Sequence, residues 1–290
     1  MFLSEYLKNE KPSLSCELFP PKEGASLSNA KQIVEKTAAL HPAYISITYG
    51  AGGGTRDFTT ELAAHCLACG VPSLAHLTCV LSDRSSIRAA LSALRAAGIV
   101  NILALRGDVP HGYTDDPTPV YRHASDLMDE ITAFGGFCIG GACYPLGHPE
   151  AENAEKDITY LKCKIEHGCR FFTTQMFFDN AVYYHFLYRL LTHGIDVPIV
   201  AGIMPITSAA QLQRTAHLSG APLPRRFLAL AERFADNPRA MRQAGIAYAT
   251  EQIIDLFANG VNHVHLYTMN KPDVAQEIFN NLSDIYIPEV

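Results

Sequence analysis

The feature that most constrains the fold is a repeated alternation of short β-rich runs with longer amphipathic segments of helical spacing. Eight β-rich runs follow one another along the chain, at residues 13–19, 44–49, 73–79, 101–105, 137–144, 171–175, 198–204 and 263–267. Helical patterns lie between them, for example at 29–40, 84–97, 154–166 and 181–191. Several of the helical segments end in a glycine that predicts a C-cap, namely Gly70, Gly98, Gly168, Gly194 and Gly260.

Eight such units predict a parallel sheet, and right-handed crossovers at that number favour closure into a (β/α)8 barrel. At 290 residues the chain has the usual size of one such barrel, so we expect a single domain over residues 1–290. A doubly wound open sheet is the alternative, but its usual GxGxxG fingerprint is missing. The segment GAGGGT at 50–55 places Thr55 where the last glycine belongs, and we interpret it as a flexible loop near a ligand.

Composition excludes several classes of partner. Lys and Arg number 23 against 29 Asp and Glu, a net charge of −6, so no basic surface predicts binding to nucleic acid or to an anionic membrane. The longest apolar stretches reach only about half of the ~20 residues that a bilayer requires. Glu5 and Lys8 interrupt any secretory signal at the N-terminus, and we expect a cytoplasmic protein.

The eight cysteines are scattered through a chain that is large enough to fold without disulfides, so we expect reduced thiols. Cys66 and Cys69 form a lone CxxC inside a helical pattern, with no second CxxC to complete a zinc site. His263 and His265 share one strand face, but acidic ligands are not close by, and we expect no metal site.

Polar residues stand where seven of the eight predicted strands end. In a (β/α)8 barrel the carboxyl ends of the strands together build the active site, so these residues are expected to converge. In chain order they are Glu17, Thr48, His76 to Thr78, Arg106 with Asp108, Tyr144 with His148 and Glu150, Gln175, and Asn270 with Lys271.

Each of these residues also has a plainer interpretation. Glu17, followed by LFPP, fits a surface carboxylate before a turn. In a barrel mouth its apolar neighbours would instead raise its pKa, as a general acid near neutral pH requires. Arg106-Gly107-Asp108 fits either a β-turn with a solvated ion pair or a close approach of backbone to ligand. His76 on an apolar strand fits a hydrogen-bonded core histidine.

No GxSxG, HExxH or Walker motif is present, which disfavours hydrolase and NTPase functions.

Nine segments, in their order, resemble the methylenetetrahydrofolate reductase family and span nearly the whole chain. They are ELFPPK, SITYGAGG, HLTC, LALRGD, HASDL, YPLGHPEA, TTQMFFD, GIMPI and HLYTMNK. The resemblance implies a flavoprotein that holds FAD in the barrel mouth and takes hydride from NADH or NADPH. It then passes hydride to 5,10-methylenetetrahydrofolate, with both reactants using one flavin face in turn. The length resembles the bacterial catalytic barrel, and such barrels often form homo-oligomers.

The resemblance also implies roles for individual residues. Glu17 corresponds to the general acid that helps open the five-membered folate ring, and Asp108 to an aspartate near the flavin pyrimidine and the pterin. Gln175 corresponds to a residue that hydrogen-bonds the pterin, and Lys271 to a position near the folate. The residues expected to line FAD are Thr48, His76, Arg106, Gly107, Asp108, Ala124, Tyr144, His148, Glu150, Asp157 and Lys164, with Arg106 and Lys164 as partners of the pyrophosphate.

Four positions depart from the better-known bacterial pattern. Tyr160 stands where an asparagine is found and Cys163 where an arginine is often found, so FAD affinity is expected to be lower. Ala209 stands where a phenylalanine would pack on the substrate. Lys271 replaces an arginine, which keeps the charge but loses the bidentate fork.

Two other functions remain open at this point. One is a flavin-free folate-binding barrel that transfers a methyl group, which a colourless protein would favour. The other is a non-catalytic subunit of a larger one-carbon complex, against which the retained acid at Glu17 argues.

Overall fold

The computed structural model describes residues 1–21, 26–49, 57–108, 120–219 and 223–286. Eight parallel strands in this part of the chain close into a barrel, each pairing with the next in sequence and the last with the first. They are β1 (Ser13–Leu18), β2 (Ile45–Ile47), β3 (Ser73–Thr78), β4 (Asn101–Leu105), β5 (Cys138–Cys143), β6 (Cys169–Thr174), β7 (Ile199–Ile203) and β8 (His263–Tyr267). The predicted (β/α)8 barrel is therefore confirmed, and the open doubly wound sheet is excluded. The GAGGGT segment lies outside the described residues.

Helices cover the outside of the barrel. They are α1 (Leu3–Tyr6), α2 (Leu27–Ala38), α3 (Asp57–Ala68), α4 (Arg84–Ala96), α5 (Ala124–Phe134), α6 (Ala154–Glu166), α7 (Asn180–Thr192), α8 (Ala209–Ser219), α9 (Arg225–Phe234), α10 (Pro238–Ala258) and α11 (Pro272–Asn281). Three of them, α8 to α10, join β7 to β8, a longer connection than the repeating pattern predicts. Among the described residues, no helix combines the length and apolar character needed to cross a membrane.

The ends of the helices follow local sequence signals. Side chains of Asp83, Asn153, Asp179 and Asn237 accept a hydrogen bond from a backbone N–H of the first turn of α4, α6, α7 and α10. The predicted C-cap glycines all have positive φ, from +70° to +104°, which confirms them: Gly70, Gly98, Gly168, Gly194 and Gly260. All eight cysteines are free thiols, as the sequence predicts.

The lower half of the barrel lumen combines apolar side chains with hydrogen-bonded polar ones and is closed by α1. Leu3 and Leu7 pack there with inward-facing residues of the strands, among them Leu74 and Phe171. Two buried polar side chains fix the α1 region in place: Asn101 Oδ1 accepts from Leu3 N at 2.9 Å, and His263 Nε2 contacts Leu7 O at 3.0 Å. Among the described residues, this closed end leaves the carboxyl ends of the strands as the open face of the barrel.

Glycines make room for aromatic rings inside the lumen. A Cβ on Gly140 would overlap the Phe171 ring, and one on Gly202 would lie 2.7 Å from Cε2 of Tyr267. Because side chains alternate along a strand, Tyr267 follows His263 and His265 on the inner face of β8. Tyr267 is thereby placed in the upper lumen, next to the open face.

Candidate active site

Glu17 stands near the carboxyl end of β1, and its side chain is 20% exposed. Burial disfavours the charged carboxylate and raises the pKa of Glu17 to about 8. The surface-carboxylate interpretation is therefore wrong for this residue. A carboxyl group that keeps its proton at neutral pH in a barrel mouth can act as a general acid.

His76, on β3, faces Glu17 across the lumen. Its Nε2 lies 3.7 Å from Glu17 Oε2, is buried, and has no hydrogen-bond partner. Burial lowers the pKa of His76 to about 3, so the imidazole is neutral near pH 7. The expectation of a hydrogen-bonded core histidine is wrong for this nitrogen, which is a buried polar atom still open to a partner.

The segment after β8 holds the backbone on which Glu17 stands. Thr268 Oγ1 donates to Glu17 O at 2.7 Å, and the Asn270 amide makes two 2.9 Å hydrogen bonds to the backbone N and O of Phe19. Met269 and Asn270 both have positive φ, at 54° and 55°. Sequence reasoning singled out Asn270 but missed Thr268, whose signal is its place directly after Tyr267 on β8.

The other histidines of the lumen have hydrogen-bond partners. His265 contacts Ser15 Oγ at 2.7 Å and Ser46 Oγ at 3.0 Å through its two ring nitrogens. His263 contacts Ser13 Oγ at 2.8 Å through Nδ1. Within the described residues, no group of three or more His, Cys, Asp and Glu side chains is placed to hold a metal ion.

Two predicted substrate residues lie after β6 and β8. Gln175 Oε1 accepts from Met176 N at 3.0 Å, an arrangement that orients its side-chain amide beside its own backbone. Lys271 Nζ donates to Thr207 Oγ1 at 2.9 Å and so joins the segments that follow β7 and β8. Ala209 begins α8, two residues after Thr207.

Arg106 and Glu150 form a forked ion pair beyond β4 and β5. The two guanidinium nitrogens lie 2.5 and 2.7 Å from the two carboxylate oxygens, and the pair is partly exposed to solvent. Glu150 thereby raises the pKa of Arg106, and Arg106 lowers the pKa of Glu150. The sequence suggested a pair with Asp108 instead, whereas Asp108 is an exposed residue at the edge of this cluster.

Gly107 has a local structural requirement. Its φ is +88°, and a Cβ there would lie 2.8 Å from Cγ1 of Val80 and 3.0 Å from Cβ of Thr78. The glycine thus lets the segment after β4 pack against the segment after β3.

His148 lies at the centre of the charged cluster. The charges of Glu150, Asp157, Arg106 and Lys164 all act on its pKa, although burial is the largest effect and lowers it. Its ring meets that of Tyr144 edge to face, with 4.6 Å between centroids. The strand exits of β4 and β5 and the helix α6 therefore converge here, as the barrel predicts.

Asp157 and Lys164 face this cluster from α6. Asp157 Oδ2 accepts from His148 N at 3.3 Å, and burial raises the pKa of this carboxyl. Lys164 Nζ donates to Ala142 O at 2.8 Å, and burial lowers the pKa of its amine. The lysine is thus anchored to the β5 backbone.

Four further residues complete the predicted set. Thr48 is buried, and its Oγ1 has no hydrogen-bond partner. Ala124 is the first residue of α5. On α6, Tyr160 is 48% exposed and Cys163 is a partly buried free thiol.

Fold and site together define a class of protein: a parallel (β/α)8 barrel with a protonated carboxyl group in its open face and a charged, mixed-sign rim. Comparison with known proteins gives the family. The model of the methylenetetrahydrofolate reductase family matches residues 3–283, and this chain belongs to that family.

Two curated relatives illustrate the match. The 5,10-methylenetetrahydrofolate reductase of Pectobacterium carotovorum is 32% identical over 93% of this chain and 90% of its own length. The NADH-type methylenetetrahydrofolate reductase 1 of Arabidopsis thaliana is 35% identical over 93% of this chain and 48% of its own length. The chain thus spans about half the length of such plant relatives.

Among solved structures, an uncharacterised protein from Clostridium thermocellum that binds two copies of 5-methyl-5,6,7,8-tetrahydrofolic acid shares the fold. It has a TM-score of 0.69 and 16% identity, and the match covers 98% of this chain and 99% of that one. An oxaloacetate acetylhydrolase matches more distantly, with a TM-score of 0.56 and 10% identity over 99% of this chain and 88% of its own. These structures support the barrel architecture alone.

Proposed function

We propose that this protein reduces 5,10-methylenetetrahydrofolate to 5-methyltetrahydrofolate, with FAD as the bound hydride carrier and NADH or NADPH as the donor. The observation that carries this proposal is the position of the Glu17 carboxyl group, which is largely buried in the open face of the barrel, where burial raises its pKa to about 8. Family membership supplies the substrate class. We further propose that residues 1–290 act as one catalytic unit.

Glu17 would supply the proton that activates the folate. The O–H bond of the acid breaks as a new N–H bond forms on a ring nitrogen of the substrate, and the electrons of the cleaved C–N bond stay on that nitrogen. The methylene carbon becomes an iminium and accepts hydride. A carboxylic acid with a pKa near 8 is well matched to this step, because it carries its proton at neutral pH and still releases it readily.

The barrel mouth has features that suit a flavin. Thr48 Oγ1 is a buried polar atom without a partner, and a heterocycle with donors and acceptors would satisfy it. When bound, FAD supplies hydride transfer between the two substrates. The proposed lining is Thr48, His76, Arg106, Gly107, Asp108, Ala124, Tyr144, His148, Glu150, Asp157 and Lys164.

The charged cluster suits the pyrophosphate only in part. Glu150 occupies the fork of Arg106, and Lys164 is directed at Ala142 O. The pyrophosphate would therefore have to share Arg106 with Glu150 or displace the carboxylate. This competition, together with Tyr160 and Cys163 on α6, supports a weaker hold on FAD than an unpaired arginine would give.

The folate would lie against residues after β4, β6 and β8. Gln175 would hydrogen-bond the pterin through its free amide N–H groups, and Asp108 would hold it through its carboxylate while disfavouring negative charge on the reduced flavin. Lys271 would approach the folate from the β7 and β8 segments. Its amine is held by Thr207 between these two segments, and a lysine offers the folate no bidentate fork.

The test is the visible spectrum of the protein supplied with FAD under anaerobic conditions. We expect NADH to bleach the flavin and methylenetetrahydrofolate to restore its colour. Since the chain contains no Trp, flavin emission can be followed without tryptophan overlap. Glu17→Gln should leave bleaching by NADH within about threefold and slow the recovery by roughly 100-fold or more, because only the second step uses the acid.

Glu166→Gln, an exposed carboxylate at the end of α6, is the matched control and should leave both rates unchanged. Equal loss of both half-reactions in Glu17→Gln would contradict the acid role. A protein that takes up no FAD but binds the folate would favour methyl transfer, and failure to bind either would favour a non-catalytic subunit.

A further inference from the structure

The upper lumen holds one carboxylic acid and one neutral imidazole that face each other without a bond. Glu17 Oε2 and His76 Nε2 are 3.7 Å apart, slightly beyond hydrogen-bond distance. The side chains of Glu17 and His76 are 20% and 7% exposed, so little water competes for either atom. A small rotation of one side chain would bring the two atoms into contact.

Two neighbouring titratable groups on β8 have their polar atoms engaged. Tyr267 Oη donates to Thr174 O at 2.5 Å, and both nitrogens of His265 contact serine hydroxyls. Tyr44 lies deeper in the lumen, with its ring stacked on His265 at 5.5 Å. Glu17, Cys143, Tyr44 and Tyr144 all act on the pKa of Tyr267, and His76 acts on the pKa of His265, so these titratable groups share the upper lumen.

His76 Nε2 lies 3.7 Å from Glu17 Oε2 with its hydrogen-bonding capacity unused. Tyr44 Oη also lacks a partner, but its ring is stacked on His265 deeper in the lumen. We propose that His76 is a positioning residue for Glu17, and that its Nε2–H holds the carboxylate that remains once Glu17 has given up its proton. This inference rests on the proposed function for its place in turnover, but the two atoms already face each other at 3.7 Å without folate or flavin.

The protons that Glu17 and His76 carry before and after the transfer explain why a neutral imidazole is suited to hold the carboxylate. At rest Glu17 carries its proton and His76 carries one on a ring nitrogen. When the acid gives its proton to a substrate, the carboxylate needs a donor in a buried place, since an unpaired buried charge is strongly disfavoured. The Nε2–H tautomer provides that donor and remains neutral, so no second charge is buried.

The pair predicts how variants of His76 change the titration of Glu17. His76→Leu removes the donor, so the ionised form of Glu17 loses stabilisation and its titration midpoint should rise by about one pH unit or more. His76→Gln places an amide N–H near the position of Nε2 and should keep the midpoint within about half a unit of wild type. Circular dichroism and a thermal melt establish that each variant is folded.

The measurement is infrared difference titration of the full chain, with and without added FAD. The C=O stretch of the protonated carboxyl is assigned to Glu17 as the band that disappears in Glu17→Gln. A midpoint in His76→Leu equal to that of wild type, in a folded variant, would overturn the inference. A midpoint raised equally in His76→Leu and His76→Gln would do the same, since a merely structural effect would not be reversed by a restored donor.

A second readout connects the pair to turnover. In a single-turnover experiment with reduced flavin and methylenetetrahydrofolate, His76→Leu should lower the rate at saturating folate by roughly tenfold and move the acid limb of the pH profile upward with the infrared midpoint. His76→Gln should restore both. If the protein reduces no folate at all, the proposed function fails while the infrared titration still decides the role of His76.

Discussion

At the scale of single residues, the protonation of Glu17 links the site to the stability of the fold. Its pKa is near 8 in the folded protein against an ordinary value of 4.5, so the folded chain binds this proton more tightly than the unfolded chain does. The resulting penalty is absent below pH 4.5, grows as pH rises, and is complete above pH 8. Glutamine carries no such penalty.

We therefore expect the melting temperature of Glu17→Gln, relative to wild type, to rise by at least about 3 °C between pH 6.5 and 8.5. His76 does not titrate in the folded protein between pH 6.5 and 8.5, because burial lowers its pKa to about 3 and keeps the imidazole neutral. Differential scanning calorimetry at several pH values measures the difference. A difference that does not change with pH would mean that Glu17 is ionised in the fold.

The sequence predicted which residues line the site better than it predicted their hydrogen-bond and ion-pair partners. The apolar neighbours of Glu17 in the sequence foretold its raised pKa, and the family motifs pointed to His76. The motifs could not indicate that His76 Nε2 lacks a partner, that Arg106 pairs with Glu150, or that Lys164 is anchored to Ala142 O. These facts depend on side-chain directions across different strands and helices, which no local pattern contains.

At the scale of elements, the hydrophobic periodicity of the sequence predicted the strands and helices wherever one βα unit follows another. It did not predict the helices of a connection that departs from this repeat. Alternating β-rich and helical segments predicted all eight strands, with end points within about two residues of those observed. The connection from β7 to β8 contains three helices, α8 to α10, and the sequence pattern marked none of them as an addition. Helix α10 owes its place to long-range packing, which includes a contact of its own backbone with the segment after β7.

That contact is at Gly245. A Cβ at this position would overlap the carbonyl oxygen of Ile206 and lie 3.5 Å from the backbone N of Thr207. Helix propensity alone predicts that Gly245→Ala stabilises the protein by about 0.5–1 kcal/mol. We expect the opposite, a loss of about 1–3 kcal/mol, because backbone cannot move aside as a flexible side chain can.

A chemical denaturation curve separates the two expectations by sign. Ala247→Gly, on the exposed side of the same helix, measures the propensity effect without the contact and should cost about 1 kcal/mol. A stabilised Gly245→Ala protein would mean that α10 and the segment after β7 can separate slightly at no cost.

At the scale of the whole molecule, the barrel divides into an end built for stability and an end built for binding. The amino-terminal end is filled by the apolar lumen residues and closed by α1, with Asn101 and His263 fixing it. The open face instead gathers buried polar atoms without partners, at Thr48 and His76, and a cluster of charges around His148. Such groups lower the stability of the protein alone, and a ligand that pairs with Thr48 and with the charged cluster restores part of it.

If FAD is that ligand, it should stabilise the entire fold, because its proposed contacts come from β2, β3, β4, β5 and α6 together. At a free concentration 100 times its dissociation constant, a ligand that binds only the folded state contributes about 2.7 kcal/mol. For a chain of this size that corresponds to a rise in melting temperature of roughly 4–5 °C. Thermal melts across a series of FAD concentrations measure this rise in melting temperature.

Riboflavin, which lacks the pyrophosphate, should give a smaller shift at equal concentration, and Arg106→Ala should reduce the FAD shift toward the riboflavin value. Absence of any shift with FAD, while the folate still stabilises the chain, would mean that the unpartnered groups of the open face serve the folate alone.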